Sequence, residues 1–232
     1  MAASLSTDRI DQLLVLSVTR THSGPLPEAL CAAGLEVIET LQSQADIGAA
    51  LLVLSPPAQT TSPADEPLAQ TALLALDSWV EALAQSARPI VAVLEGDADA
   101  AVLPLALACG LRVACVGSQW AAPLPGGGIT RLLPQALPAA VGQEWLLRRN
   151  ALPAARLYEV GAINLLAPAG QVLQSAIEWA APLAQQSAIN EALLGLWAAA
   201  PGASLGDQQA AERRMLQREQ IAALRSGGKG QP

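Results

Sequence analysis

The turn at residues 95–99 contains the carboxylates best placed to do chemistry. Glu95, Asp97 and Asp99 stand between an apolar run, Ile90–Leu94, and a longer Ala/Leu-rich run. Beta-branched residues bounded by Pro and Gly predict a buried strand, and the Ala/Leu-rich run predicts a helix. A strand that enters a helix through a tight turn directs unpaired backbone N–H groups at one spot. That spot suits an anion or a polarised carbonyl oxygen.

Two interpretations of the turn carboxylates stay open. In the first, Asp97 and Asp99 are acid–base residues beside a bound ligand, where burial would raise a carboxyl pKa. In the second, they are solvated turn residues. The chain has few other candidate acid–base residues. Its single histidine, His22, lies in a polar loop beside Arg20, as is typical of a surface residue. One histidine without a nucleophile elbow excludes a Ser–His–Asp arrangement.

The elements that must position this turn alternate between strand-like and helix-like segments. Apolar runs predict strands at 13–19, 47–54, 90–94 and 162–166. Helical spacing predicts helices at 26–44, 68–85, 137–149, 153–161, 172–186, 189–199 and 207–225. Pro, Ser and Thr predict a loop at 55–67, and Pro and Gly predict a turn near 126–128. The alternation indicates an α/β fold.

Composition limits the possible functions. A chain of 232 residues can bury a substantial core, and its net charge of -7 gives no general attraction to nucleic acid or to acidic membranes. The apolar stretch at 98–116 is interrupted by charged residues and a proline, so we expect a buried core element there. The chain begins without a basic segment followed by an apolar one, which predicts a cytoplasmic protein. Buried, reduced thiols without metal-ligand spacing are expected at Cys31, Cys109 and Cys115.

Four segments, in order along the chain, resemble the crotonase superfamily, which includes enoyl-CoA hydratases and isomerases. Residues 88–96, RPIVAVLEG, resemble its KPVIAAVNG strand and turn, and residues 105–114, LALACGLRVA, resemble LALACDLRIA. Residues 125–132, PGGGITRL, resemble PGGGGTQRL, and residues 154–168, AARLYEVGAINLLAP, resemble SAEEALRLGLVNRVVP. The resemblance covers most of the chain. It implies a ClpP/crotonase spiral fold of repeated ββα units with C-terminal helices.

The resemblance also implies an acyl-CoA thioester as substrate or ligand, with no metal and no covalently bound cofactor. Crotonases hold the thioester oxygen between two backbone N–H groups, which stabilise the enolate-like charge that develops there. By position, these donors would be the N–H groups of Ser62 and Ala101. The predicted contacts to the CoA phosphates are Arg20, Arg213 and Arg214, although a solvated helix face is an equal interpretation of the last two.

The chain departs from the family at its acid–base residues. The first glutamate of the hydratases aligns with Pro104, which cannot exchange a proton. The second falls in a segment that is deleted here, with Leu124 nearest to it. Ordinary hydration by a glutamate pair is therefore not supported, because each such group contributes about 100- to 10,000-fold to the rate.

Three functions stay open: an acyl-CoA enzyme with relocated acid–base groups, a catalytically silent acyl-CoA-binding relative, or a purely structural subunit. The departures favour the second over a standard hydratase. The resemblance implies a homo-oligomer, either a trimer or a dimer of trimers, and an active crotonase paralogue is a further expected partner. The predicted domains are a core with the acyl-CoA pocket at 1–168, a helical oligomerisation region at 169–225 and a disordered tail at 226–232.

Overall fold

The computed structural model describes residues 3–59 and 70–227, with side chains described as far as residue 218. Its strands are β1 (Ala3–Ile10), β2 (Leu13–Arg20), β3 (Ala49–Leu54), β4 (Ile90–Leu94), β5 (Leu111–Cys115), β6 (Gln119–Trp120), β7 (Leu152–Pro153) and β8 (Leu165–Ala167). Its α-helices are α1 (Glu28–Ser43), α2 (Gln70–Ala84), α3 (Leu103–Ala108), α4 (Ile129–Ala136), α5 (Ala139–Arg148), α6 (Ala154–Glu159), α7 (Val172–Gln185), α8 (Ser187–Ala199) and α9 (Leu205–Gly227).

Six strands form one mixed sheet in the order β1-β2-β3-β4-β5-β8. Strands β1 and β2 are an antiparallel hairpin, and every later pair in the sheet is parallel. Parallel neighbours need crossover connections, which α1 and α2 supply between β2, β3 and β4. Strands β6 and β7 form a separate antiparallel pair. The predicted α/β class is confirmed.

The sheet separates two apolar cores, as the burial of β3 illustrates. All six residues of β3 are buried, and successive side chains of a strand point to opposite faces. Leu52 and Leu54 join the larger cluster, which contains buried residues of α1, α2, α3, α4, α5 and α6. Leu51 and Val53 join a smaller cluster, in which α7 supplies a row of buried alanines. Two-sided burial explains why β3 is a continuous apolar run.

The sequence did not predict strands β1, β5, β6 and β7 or helix α4. Strand β1 is largely exposed, so it lacks an apolar run, and it pairs with β2 through a tight turn at Asp11, whose φ is 52°. Helix α4 begins at Ile129, directly after the turn that Gly126, Gly127 and Gly128 form. The glycines have positive φ values, and the last of them is the N-cap of α4. The predicted turn is therefore present, and it leads directly into a helix that was not predicted.

The chain divides into two compact units, residues 1–187 and 188–232. The sequence placed the boundary after residue 168. Helix α7 belongs to the first unit because it packs on strands β2 to β5 and β8 of the sheet. The predicted oligomerisation region at 169–225 stays a prediction. The second unit contains α9 and nearly all of α8. Of the tail predicted at 226–232, residues 226–227 end α9 and the others lie outside the described residues.

Candidate functional site

The candidate site is the connection between β4 and α3. Strand β4 is buried throughout, and α3 begins at Leu103 with Pro104 in its first turn, where a missing N–H costs no helical hydrogen bond. The Val102 N–H donates to the Asp99 carbonyl at 3.3 Å, which closes a turn around residues 100 and 101. Within residues 3–59 and 70–227, no group accepts a hydrogen bond from the Ala101 N–H. The predicted second donor is therefore an unpaired N–H at a turn that enters a helix.

Asp97 holds this turn against β6. Its Oδ1 accepts a hydrogen bond from the Gln119 N–H at 2.7 Å. The neighbouring Ala98 extends the contact, because its N–H donates to the Gln119 carbonyl at 2.9 Å and its carbonyl accepts from the Ala121 N–H at 2.7 Å. Asp97 is otherwise exposed. Its carboxylate thus receives a backbone donor that lies 22 residues further along the chain.

Asp99 forms a two-pronged ion pair with Arg20. Arg20 Nη1 donates to Asp99 Oδ2 at 2.8 Å, and Nη2 donates to Oδ1 at 3.1 Å. The Arg20 side chain is 2% exposed and the Asp99 side chain 21%. Arg20 is the last residue of β2, so the pair connects the carboxyl end of β2 to the turn before α3.

Glu95 is also engaged, because Ser55 Oγ donates to its Oε2 at 2.8 Å. Each of the three turn carboxylates therefore has a partner from a distant segment. Arg20, Ser55 and Glu95 lie at or just beyond the carboxyl ends of β2, β3 and β4, three neighbouring parallel strands. Sequence reasoning missed these partners, although the rule that carboxyl ends of parallel strands meet at one edge could have found them.

Pro104, which was predicted to align with the family's first glutamate, is closely packed. Pro104 is buried, and a Cβ built on Gly127 would lie 2.6 Å from its Cβ. Gly127 has a φ of +55°, a conformation that favours glycine, and the close approach of Pro104 leaves no room for a Cβ. Leu124, beside the missing segment of the second glutamate, is 57% exposed. Neither position carries a group that can exchange a proton.

The remaining predicted site residues are Ser62, Arg213 and Arg214, and their roles stay predictions. Ser62 lies outside the described residues, so its role as the first donor stays a prediction. Arg213 and Arg214 are exposed on α9. His22 forms a parallel bridge with Gln59.

The three cysteines are free and buried, as predicted. Burial raises the pKa of Cys31 to about 11 and that of Cys109 to about 12. Among the described residues, no group of three or more His, Cys, Asp or Glu side chains is arranged to hold a metal ion. No α-helix in the described part of the chain has the length and apolarity to cross a membrane.

Comparisons with known proteins agree with the fold. The chain superposes on the crystal structure of an enoyl-CoA hydratase from Polaromonas sp. JS666 with a TM-score of 0.79, at 24% identity, over 96% of this chain and 97% of that one. It superposes on an enoyl-CoA hydratase from Bacillus anthracis with a TM-score of 0.83, at 17% identity, over 97% and 96% of the two chains. These likenesses confirm the predicted crotonase fold.

Sequence comparisons identify the family. The sequence profile of the enoyl-CoA hydratase/isomerase family matches residues 60–228, which is more than half of the chain. The (E)-benzylidenesuccinyl-CoA hydratase of Thauera aromatica is 32% identical over 120 residues, 47% of each protein. A peroxisomal fatty acid beta-oxidation multifunctional protein of Arabidopsis thaliana is 33% identical over 106 residues, which are 43% of this chain and 15% of that protein. The matched segments thus span less than half of these curated relatives. The chain belongs to the enoyl-CoA hydratase/isomerase family of the crotonase superfamily.

Proposed function

We propose that this protein binds an acyl-CoA thioester and holds its carbonyl oxygen at the Ala101 N–H. Family membership supports a CoA thioester as the ligand class. The observation that carries the proposal is the Ala101 N–H, which has no acceptor among the described residues and lies in a turn fixed by three carboxylate contacts. A donor that is held in place before the ligand arrives stabilises developing negative charge without reorganisation. Ser62, the predicted first donor, would complete the pair.

Hydration through a glutamate pair is not part of the proposal. Pro104 and Leu124 supply no acid or base at the two positions where the family carries them. Asp97 and Asp99 stay predicted as replacement acid–base residues, but their hydrogen bonds to Gln119 and Arg20 support a role in holding the turn. We therefore expect binding of the thioester with little or no hydratase turnover.

Calorimetry with butyryl-CoA and free CoA tests this proposal, using the variants Ala101→Pro and Ala101→Gly. Ala101→Pro removes the N–H, so affinity for butyryl-CoA should fall by about 2- to 10-fold, the net worth of one neutral hydrogen bond. Ala101→Gly keeps the N–H and is the matched control, with affinity equal to the wild type or higher. Equal affinity of the proline variant for butyryl-CoA would reject Ala101 as the donor, and absence of acyl-CoA binding by the wild type would reject the function.

A second candidate function is assembly, either with copies of this chain or with an active paralogue. Helix α8 favours it, because the helix is strongly apolar yet contains no buried residue. Trp197 is 80% exposed and Leu193, one turn earlier, is 49% exposed. Such a surface is typical of an interface. Light scattering should give a trimer or hexamer for the wild type and a smaller species for Trp197→Ser. A monomeric wild type would reject assembly with copies of this chain, and assembly with an active paralogue would then be tested.

A further inference from the structure

We propose that Arg20 is a positioning residue for the Ala101 N–H and that it acts through Asp99. This inference rests on the proposed function, because it explains how the same donor is aimed. It gives Arg20 a different task from the predicted contact with the CoA phosphates.

The geometry places Arg20 between two segments that come from different parts of the chain. Its guanidinium binds both carboxylate oxygens of Asp99, at 2.8 and 3.1 Å. Its main-chain carbonyl accepts a hydrogen bond from the Ala58 N–H at 3.1 Å. The segment that follows β3 and the turn that follows β4 are therefore both fixed to the end of β2.

The ion pair also fixes one end of the short segment that contains the Ala101 N–H. Asp99 is fixed by its side chain to Arg20 and by its carbonyl to the Val102 N–H. Ala101 lies between these two attachments and has no side chain of its own that could set the direction of its N–H. A paired, planar fork fixes direction as well as distance, which a single contact or an apolar side chain does not.

Burial of Arg20 supports positioning rather than ligand binding. The Arg20 side chain is 2% exposed, so it presents little surface to a solvated phosphate. Both terminal nitrogens are used by Asp99, and Nε is buried without a partner in the described part of the chain. A buried ion pair with an unsatisfied nitrogen is weak evidence for added stability. Its distinctive contribution here is a fixed orientation of the turn.

The test compares two ligands that differ only at the carbonyl: butyryl-CoA, a thioester, and S-butyl-CoA, the thioether that lacks the oxygen. The ratio of their dissociation constants reports the carbonyl contact alone. In the wild type we expect the thioester to bind about 2- to 10-fold more tightly for each N–H that it engages. Arg20→Met should lower the ratio by the share of one N–H, about 2- to 10-fold, while the affinity for the thioether stays within about twofold. Asp99→Asn should lower the ratio as well. The ratio of the double variant, Arg20→Met with Asp99→Asn, should be no lower than that of the single variant with the lower ratio.

Arg9→Met is the matched control. Arg9 also pairs with an aspartate, Asp46, but the two side chains are 45% and 64% exposed. Loss of this exposed pair should leave the ligand ratio unchanged. If Arg20→Met does not fold, Arg20→Lys gives the same readout, because it keeps the charge and loses the fork, and its ratio should lie between those of the wild type and one.

Three results would overturn the inference. An unchanged ratio in a folded Arg20 variant would show that the pair does not aim the donor. An equal loss of affinity for both ligands would return Arg20 to the predicted contact with CoA. A wild-type ratio of one would instead reject the proposed function, and the positioning role with it.

Discussion

Replacement of Gly127 by Ala tests how tightly Pro104, the residue predicted to align with the family's first glutamate, is packed. Gly127 has a φ of +55°, and a Cβ at this residue would lie 2.6 Å from Pro104 Cβ and 2.8 Å from Pro104 Cγ. The adjacent Gly128 has a φ of +68° but no heavy atom within 4 Å of the position of a Cβ. The two glycines therefore share the backbone conformation and differ in their surroundings, so Gly128→Ala is a matched control.

The magnitude follows from the two contributions. A left-handed conformation costs an L-residue about 1–2 kcal/mol, which both variants should lose from the free energy of unfolding. Overpacking against a buried ring adds about 1–3 kcal/mol, which only Gly127→Ala should lose. We thus expect about 1–2 kcal/mol for Gly128→Ala and about 2–5 kcal/mol for Gly127→Ala.

Urea unfolding followed by tryptophan fluorescence and by circular dichroism measures both values. Pro104→Gly removes the two ring carbons that approach Gly127, so Gly127→Ala should cost about 1–3 kcal/mol less in that background. Equal destabilisation by the two alanine variants would refute the packing argument. Additive effects of Pro104→Gly and Gly127→Ala would refute it as well, because additivity means that the two residues do not interact.

Two further predictions concern the scaffold. Gly34→Ala in α1 should destabilise the protein by a net of up to about 2 kcal/mol in urea unfolding. Its Cβ would lie 2.2 Å from the ring of Trp79, which is buried, and the better helix propensity of Ala offsets only about 1 kcal/mol of the overpacking cost. Gly142→Ala in α5 meets nothing closer than 3.6 Å and should stabilise by up to about 1 kcal/mol, so a stabilised Gly34 variant would contradict the close approach of α1 and α2. Cys31 and Cys109, whose pKa values burial raises to about 11 and about 12, should stay unmodified by iodoacetamide at pH 8 in the native protein and react in urea, since the thiolate is the nucleophile. Rapid native labelling of either thiol would contradict its burial.

Of the parallel part of the sheet, the sequence predicted β2, β3, β4 and β8 as strands but not β5. Strands β3 and β4 are continuous apolar runs because they are buried on both faces. Strand β4 was placed at its observed bounds, and the runs that form β2 and β3 were placed within two residues at each end. Strand β1 escaped prediction because an exposed edge strand has no apolar run to mark it. Its position depends on pairing with β2, which is a tertiary contact.

The candidate site was predicted in part. The turn follows from a local pattern, namely a buried strand that runs into a helix, whereas the choice of the Ala101 N–H came from the resemblance to the crotonase family. The partners of the turn carboxylates do not follow from a local pattern, because Asp99 and Arg20 are 79 residues apart and Glu95 and Ser55 are 40 residues apart. Local patterns carry no information on such pairs, and the register of parallel strands alone brings them together.

The most direct test of the central claim is a carbon-13 NMR spectrum of butyryl-CoA labelled at the thioester carbonyl, recorded free and bound to the wild type. Hydrogen bonds from backbone N–H groups polarise a carbonyl, so the account predicts a downfield shift of the bound resonance, and a smaller shift with Ala101→Pro. A bound ligand whose carbonyl resonance stays at its solution position would contradict the oxyanion hole. A spectrum that shows no bound ligand at all would contradict acyl-CoA binding itself.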